Sequence, residues 1–182
     1  GLSDWSYDNV LPFFRKLENF SGPESQFHGN LGELQVSELR NHHPYCKAWV
    51  NAGLDLGIPE NPDFNSDQSY GLGTYHLTIG RRFRSSSASA FLRPALKRKN
   101  LVVLTQADVQ KLLISDRRVI GINFFHKGSL RSVNASSEVI LSAGAIGSPK
   151  ILQLSGIGPG KILNELNIPV ILDRPEVGGN LQ

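Results

Sequence analysis

Glu138-Val139-Ile140-Leu141-Ser142-Ala143-Gly144-Ala145-Ile146-Gly147-Ser148-Pro149 is the stretch on which the reading of this chain turns. An apolar run from Val139 to Leu141 passes into small residues, and a helical pattern follows from Ser148 to Leu154. Pro149 is expected near the first helical position, where its missing N–H does no harm. Strand, tight turn and helix in that order form a nucleotide-binding geometry. Small side chains at Ala143, Gly144 and Ala145 let a ligand approach the backbone, and a helix N-terminus offers unpaired N–H groups to negative charge. The same small residues would also serve close packing of a helix against a strand, and the residues alone leave both readings open.

Working outward, the preceding segment is strand-like. Leu101–Leu104, Val109–Ile114, Val119–Phe125, Leu130–Val133 and Val139–Leu141 are short apolar or alternating runs separated by turn residues. They predict a meander of five strands, with Asp116-Arg117-Arg118 and Lys127-Gly128 as hairpin tips. Downstream, a helix is expected over Lys161–Leu166 and an extended run over Ile168–Leu172. The glycines of Gly156-Ile157-Gly158-Pro159-Gly160 superficially resemble a phosphate-binding loop, but they follow a helix rather than a strand, so they read as a turn and helix cap.

The first half reads differently. Trp5 to Asn19 spaces its apolar residues as an amphipathic helix, with Asp4 as the expected cap. Ser21 to Gly32 breaks that pattern, Leu34-Gln35-Val36 alternates like a short strand, and Pro44 to Leu56 is helical up to Gly57. Pro59 to Ser87 is loop territory carrying short strands such as Tyr75 to Ile79. Ala88 to Leu96 returns to helix, kinked or ended by Pro94. A change of character near residues 97–100 divides the chain into 1–97 and 98–182. The fold class expected is α/β overall, α+β within this stretch.

Composition narrows the function classes. Among 182 residues, no run approaches the roughly 18–20 apolar residues of a membrane helix. A net charge of +3 is mild and spread along the chain, so nucleic acid is not suggested. The single cysteine, Cys46, excludes an internal disulfide and a multi-cysteine zinc site. His42, His43 and Cys46 lie close in sequence, but adjacent histidines do not easily share a helical face and no fourth ligand is suitably spaced. No metal site is expected. Cys46 reads as a small buried residue and His76 as a surface histidine rather than one facing a substrate chamber. Ser155-Gly156 lacks the elbow of a serine hydrolase. Arg81, Arg82, Arg84, Arg93, Lys97, Arg98 and Lys99 make the densest basic region, read as solvated surface of which part could face a cofactor. The chain opens on Gly1, contains no methionine and stops at Gln182 after a glycine-rich turn, which reads as an internal fragment of poor autonomous stability.

The run from Gly144 to Gly158 resembles the second sequence signature of the glucose-methanol-choline (GMC) oxidoreductases at every constrained position. Val139–Ala143 and Pro175–Gln182 are similar to the family too, as are Trp5–Tyr7 with Val10–Phe14, His28-Gly29 with Leu34–Val36, and Arg84–Ser86 with Ala90–Ala95. The resemblance covers nearly the whole chain and looks closest to choline dehydrogenase-like members. It implies a Rossmann-like FAD/NAD(P)-binding flavoprotein fold with an antiparallel meander, together with part of a substrate-binding domain. The cofactor implied is FAD, with Val109 meeting the adenine end through its backbone and Ala143, Gly144 and Ala145 near the same nucleotide. The activity implied is oxidation of a primary alcohol, choline-like or other, by hydride transfer to the flavin. Hydroxynitrile lyases share the scaffold, so an FAD-containing lyase and a non-catalytic remnant stand as alternatives. The family's glycine-rich pyrophosphate motif and its catalytic histidine have no match in this chain, so no catalytic residue is assigned within it. The alcohol, the electron acceptor and the compartment stay open, with cytoplasm or mitochondrion implied for a choline dehydrogenase-like member.

Overall fold

A computed structural model describes residues 2–80 and 82–181. Contacts divide the chain into two units, Gly1–Val102 and Val103–Gln182.

In the first unit a 3-10 turn, Ser3–Trp5, precedes helix α1, Tyr7–Leu17. The cap position belongs to Ser6 rather than Asp4, because Ser6 carries the extended backbone from which the helix departs. The helix stops before Asn19: Glu18 turns extended and opens strand β1, Glu18–Phe20, which pairs in parallel with β2, Leu34–Val36. The sequence placed β2 and missed β1, whose Glu-Asn-Phe has no alternation to betray it. The loop between them folds back tightly onto α1 and β1. Gly32 donates to the Glu18 carbonyl at 2.8 Å, Phe20 donates to the Gly29 carbonyl at 2.8 Å, and a Cβ on Gly29 would overlap the Arg15 carbonyl. Gly29→Ala is therefore expected to cost about 2–3 kcal/mol, an overpacking penalty against backbone that cannot rotate away. Urea unfolding followed by circular dichroism of the first unit's helices measures it.

Helix α2, Pro44–Asp55, starts with proline at the first position and with the His43 side chain accepting from the Tyr45 N–H at 3.2 Å. Only a narrow strip around Gly53 is buried, so Cys46 is exposed rather than internal, and Tyr45 and Trp49 are 80% and 70% exposed. Residues 59–87 are held by isolated bridges, Glu60 to Leu72, Ser37 to Leu77 and Ile79 to Arg84. Asn61, 3% exposed, organises the turn there: its amide donates to the Gln68 and Tyr70 carbonyls and its carbonyl accepts from the Asp63 N–H. The expected helix over Ala88–Leu96 consists of a π-helical segment, Ala88–Leu92, running into a short α3, Arg93–Ala95, that contains Pro94.

The second unit is built on a three-stranded antiparallel sheet in the order β3 (Ala107–Ser115), β4 (Arg118–His126), β5 (Ser129–Asn134). Its tips fall where turn chemistry put them. Asp116 and Arg117 have φ of 49° and 61°, and Lys127 and Gly128 have 50° and 77°, positive pairs whose twist suits two-residue hairpins. Of the five strands expected, Leu101–Leu104 and Val139–Leu141 form none among the described residues. Apolar runs express a tendency to pair, but a strand needs an edge to pair with; Val102 and Ile140 are each 80% exposed.

Helix α4 spans Gly144–Leu154, starting four residues before the expected Ser148, so Pro149 lies inside it instead of at its first position. The helix packs on β3 through Ser155, whose Oγ donates to the Ile151 carbonyl at 2.6 Å and accepts from the Leu112 N–H at 2.8 Å. Beyond it, β6 (Ile157–Gly158) pairs in parallel with β7 (Leu172–Asp173), and the intervening α5 (Gly160–Glu165) buries Leu163 completely.

Candidate functional site

The corner at Ala143 is shaped by one residue. Gly144 has φ +82°, a left-handed conformation that L side chains resist, and it turns the irregular segment before it into α4. Ser148 reaches back one turn to accept from the Ala143 N–H at 3.0 Å, which fixes the corner from within the helix. Ala143, Gly144 and Ala145 are all exposed, and a Cβ built on Gly144 meets nothing within 4 Å. Bare backbone therefore faces open space at the start of an 11-residue helix with no acidic side chain in its first turn. The partial positive charge of that terminus meets no acidic side chain of the helix's own first turn. Beside α4 an open groove of about 680 Å³ runs along segment 176–181, lined by Ile146, Pro149, Gln153, Gly178 and Asn180. Gln153 ties the two walls together, its amide donating to the Val177 carbonyl at 2.8 Å.

Val109 lies half-buried on β3, opposite Phe124 and immediately before a bulge between Val109 and Lys111. β3 is an edge strand of its sheet and the one against which α4 packs. The structure thus brings Ala143, Gly144 and Ala145 to one corner and places Val109 on the neighbouring strand, with no side-chain hydrogen bond joining the two among the described residues.

A family model described as GMC oxidoreductase matches residues 1–182. The chain belongs to the GMC oxidoreductase family. It is 39% identical over 184 residues to an oxygen-dependent choline dehydrogenase of Photobacterium profundum, an alignment that takes in 100% of this chain and 32% of that protein. An FAD-dependent oxidoreductase from Chaetomium thermophilum superimposes with a TM-score of 0.88 at 33% identity, over 95% of this chain and 32% of the other. Pyridoxine 4-oxidase from Mesorbium loti does so with a TM-score of 0.86 at 30% identity, over 95% and 34%. The chain spans about a third of the length of these relatives. The mixed α/β fold, with parallel and antiparallel pairing, matches GMC flavoproteins, and members of the family bind FAD.

Elsewhere in this GMC oxidoreductase chain, the other sequence candidates separate. His43 caps α2 and Cys46 is exposed on it. Arg82, Arg84 and Arg93 are exposed and, with Arg40, line an open groove of about 820 Å³; Arg81 lies outside the described residues. His76 is no surface histidine, since its side chain is 6% exposed.

His76 instead joins a cluster that sequence spacing did not announce. The His28 ring, 5% exposed, donates from Nδ1 to Glu18 Oε2 and from Nε2 to Asp63 Oδ2, both at 2.9 Å. Glu18 Oε2 also accepts from the Gly29 N–H at 3.1 Å. Burial lowers the His28 pKa, but the hydrogen bonds and negative charges of Asp63 and Glu18 raise it by more, so it sits above its ordinary value. Phe20 stacks on His28 at 4.2 Å and lies 4.6 Å from the His76 ring. His28-Gly29 was visible only as a piece of family resemblance and His76 only as a lone histidine; Glu18 and Asp63 had no signal at all, because β1 and loops far apart in sequence bring the four together.

Proposed function

We propose that the protein carrying this chain binds FAD and oxidises a primary alcohol, choline-like or another, to the aldehyde. Residues 98–182 on this reading form part of the FAD-binding domain and residues 1–97 part of the substrate side. The observation that carries the reading is the open backbone corner at Gly144, set at an uncompensated helix N-terminus inside a chain that matches the family from end to end. Ala143, Gly144 and Ala145 would hold the nucleotide portion through main-chain groups, and Val109 would meet its adenine end through the β3 backbone. The unpaired apolar segments Leu101–Leu104 and Val139–Leu141 fit strands whose partners belong to the remaining two thirds of such a protein.

When bound, FAD supplies the hydride acceptor, and the protein's part is to orient the alcohol and exclude water. Nothing in this chain is assigned to proton transfer. The reading is tested anaerobically on the full-length protein by adding alcohols and following flavin absorbance. Bleaching by choline or another primary alcohol is the expected result. A bound flavin that stays oxidised with every alcohol tried would overturn it and leave a lyase-like use of FAD.

A further inference from the structure

We propose that His28, Asp63 and His76 form a binding site for a borderline divalent transition-metal ion, of which Zn²⁺ is the type, that staples the loops of the first unit. The donor atoms, one from each residue, all lie within 4.8 Å of one another. A tetrahedral ion with metal–ligand bonds of about 2.0–2.2 Å needs its donors about 3.3 Å apart, so small side-chain shifts fill three of its four positions and leave the fourth to water. His28 Nε2 and Asp63 Oδ2 are already at 2.9 Å, and His76 Nδ1 and Asp63 Oδ1 at 3.6 Å.

Two features point to a ligand rather than to a self-sufficient hydrogen-bond network. His76 Nδ1 is buried and makes no hydrogen bond, with Asp63 Oδ1 standing 3.6 Å from it. Leaving a buried polar atom unpaired costs about 1–3 kcal/mol, and an ion in the gap removes that cost. Charge gives the second. Glu18 and Asp63 face His28, Asp63 faces His76 as well, and no Lys or Arg pairs with either carboxylate among the described residues, since Arg15 donates to the His28 carbonyl. A divalent ion in place of the proton between His28 and Asp63 brings the group to neutrality.

The surroundings have the form of an outer metal shell. Glu18 accepts a hydrogen bond from the Nδ1–H of His28, which fixes the ring orientation and leaves Nε2 for the ion, as outer carboxylates do for metal-binding histidines. Phe20 covers both rings with an apolar face. Two imidazole nitrogens and one carboxylate select Zn²⁺, Co²⁺ or Ni²⁺ over the oxygen-seeking Ca²⁺ and Mg²⁺. The role is structural: the ligands come from loop segments with almost no regular structure, and the ion would fasten them to β1. This inference is independent of the flavin reading.

The test uses the full-length protein stripped with EDTA and titrated with Co²⁺, then with Zn²⁺. Expected are a visible d–d spectrum saturating at one equivalent, its displacement by one equivalent of Zn²⁺, and a higher thermal midpoint with metal. His76→Leu removes a ligand but no hydrogen bond, so it should keep the circular dichroism spectrum and lose about 100-fold or more in affinity. The double variant His42→Asn/His43→Asn should bind the ion as tightly as the unaltered protein does. No stoichiometric binding by the unaltered chain overturns the proposal, as does binding that survives His76→Leu or is lost in the His42/His43 double variant. Should His76→Leu fail to fold, the titration of the unaltered chain decides alone.

Discussion

Leu163→Ala is expected to destabilise the second unit by about 3–4 kcal/mol, within the usual range for truncating a fully buried leucine. Leu163 is the one large side chain among the described residues with no exposed surface, and α5, which carries it, is only six residues long. So short a helix has no stability of its own and persists because that side chain is enclosed. Its backbone ties the neighbourhood together: the Leu163 N–H donates to the Pro159 carbonyl at 3.0 Å, and its carbonyl accepts from the Ile168 N–H at 2.8 Å. Loss of the side chain should therefore loosen the return from α5 to β7 as well as the helix. All the tryptophans and tyrosines lie before residue 103, so fluorescence does not report on this unit. Amide hydrogen exchange at Leu163 and Ile168 does, and it should accelerate roughly a hundredfold or more, about two factors of ten at 1.4 kcal/mol each. Unchanged protection at both amides would show that the core lies elsewhere.

What the sequence made legible was whatever rests on local chemistry. The two hairpin tips were readable because Asp116 and Gly128 accept positive φ and sit between alternating runs; Arg117 and Lys127 adopt it as their partners in the two-residue turns. β2 and α2 were readable from pattern and from Pro44. What failed was whatever rests on a partner. Val139–Leu141 has the composition of a strand and no edge to join among the described residues, while β1, with Glu-Asn-Phe, is a strand only because β2 lies beside it. The start of α4 was misplaced because Pro149 was taken as its marker; Gly144, with its left-handed backbone, is where the chain turns. The same division holds for the sites. Ala143–Ala145 are consecutive and could be seen, whereas His28 and Asp63 stand 35 positions apart, with β2 and α2 between them, and could not.

Ala145→Leu is expected to lower FAD affinity in the full-length protein by about 10–100-fold while leaving the fold intact. The two halves of that expectation have separate physical causes. Leucine forms helices almost as well as alanine, and Ala145 is exposed in the first turn of α4, so the helix should tolerate the change. A nucleotide lying against the corner would not: three extra carbons would stand between it and the main chain, and relieving such overlap costs about 1–3 kcal/mol. Gly144→Ala separates obstruction from strain. Its added methyl meets nothing within 4 Å, but its φ of +82° is unfavourable for alanine by roughly 1–2 kcal/mol, so it should depress stability more than affinity. Flavin content after dialysis, beside thermal midpoints for both variants, distinguishes the cases. If Ala145→Leu retains FAD as well as the unaltered protein, the small residues at this corner serve helix packing and the nucleotide lies elsewhere.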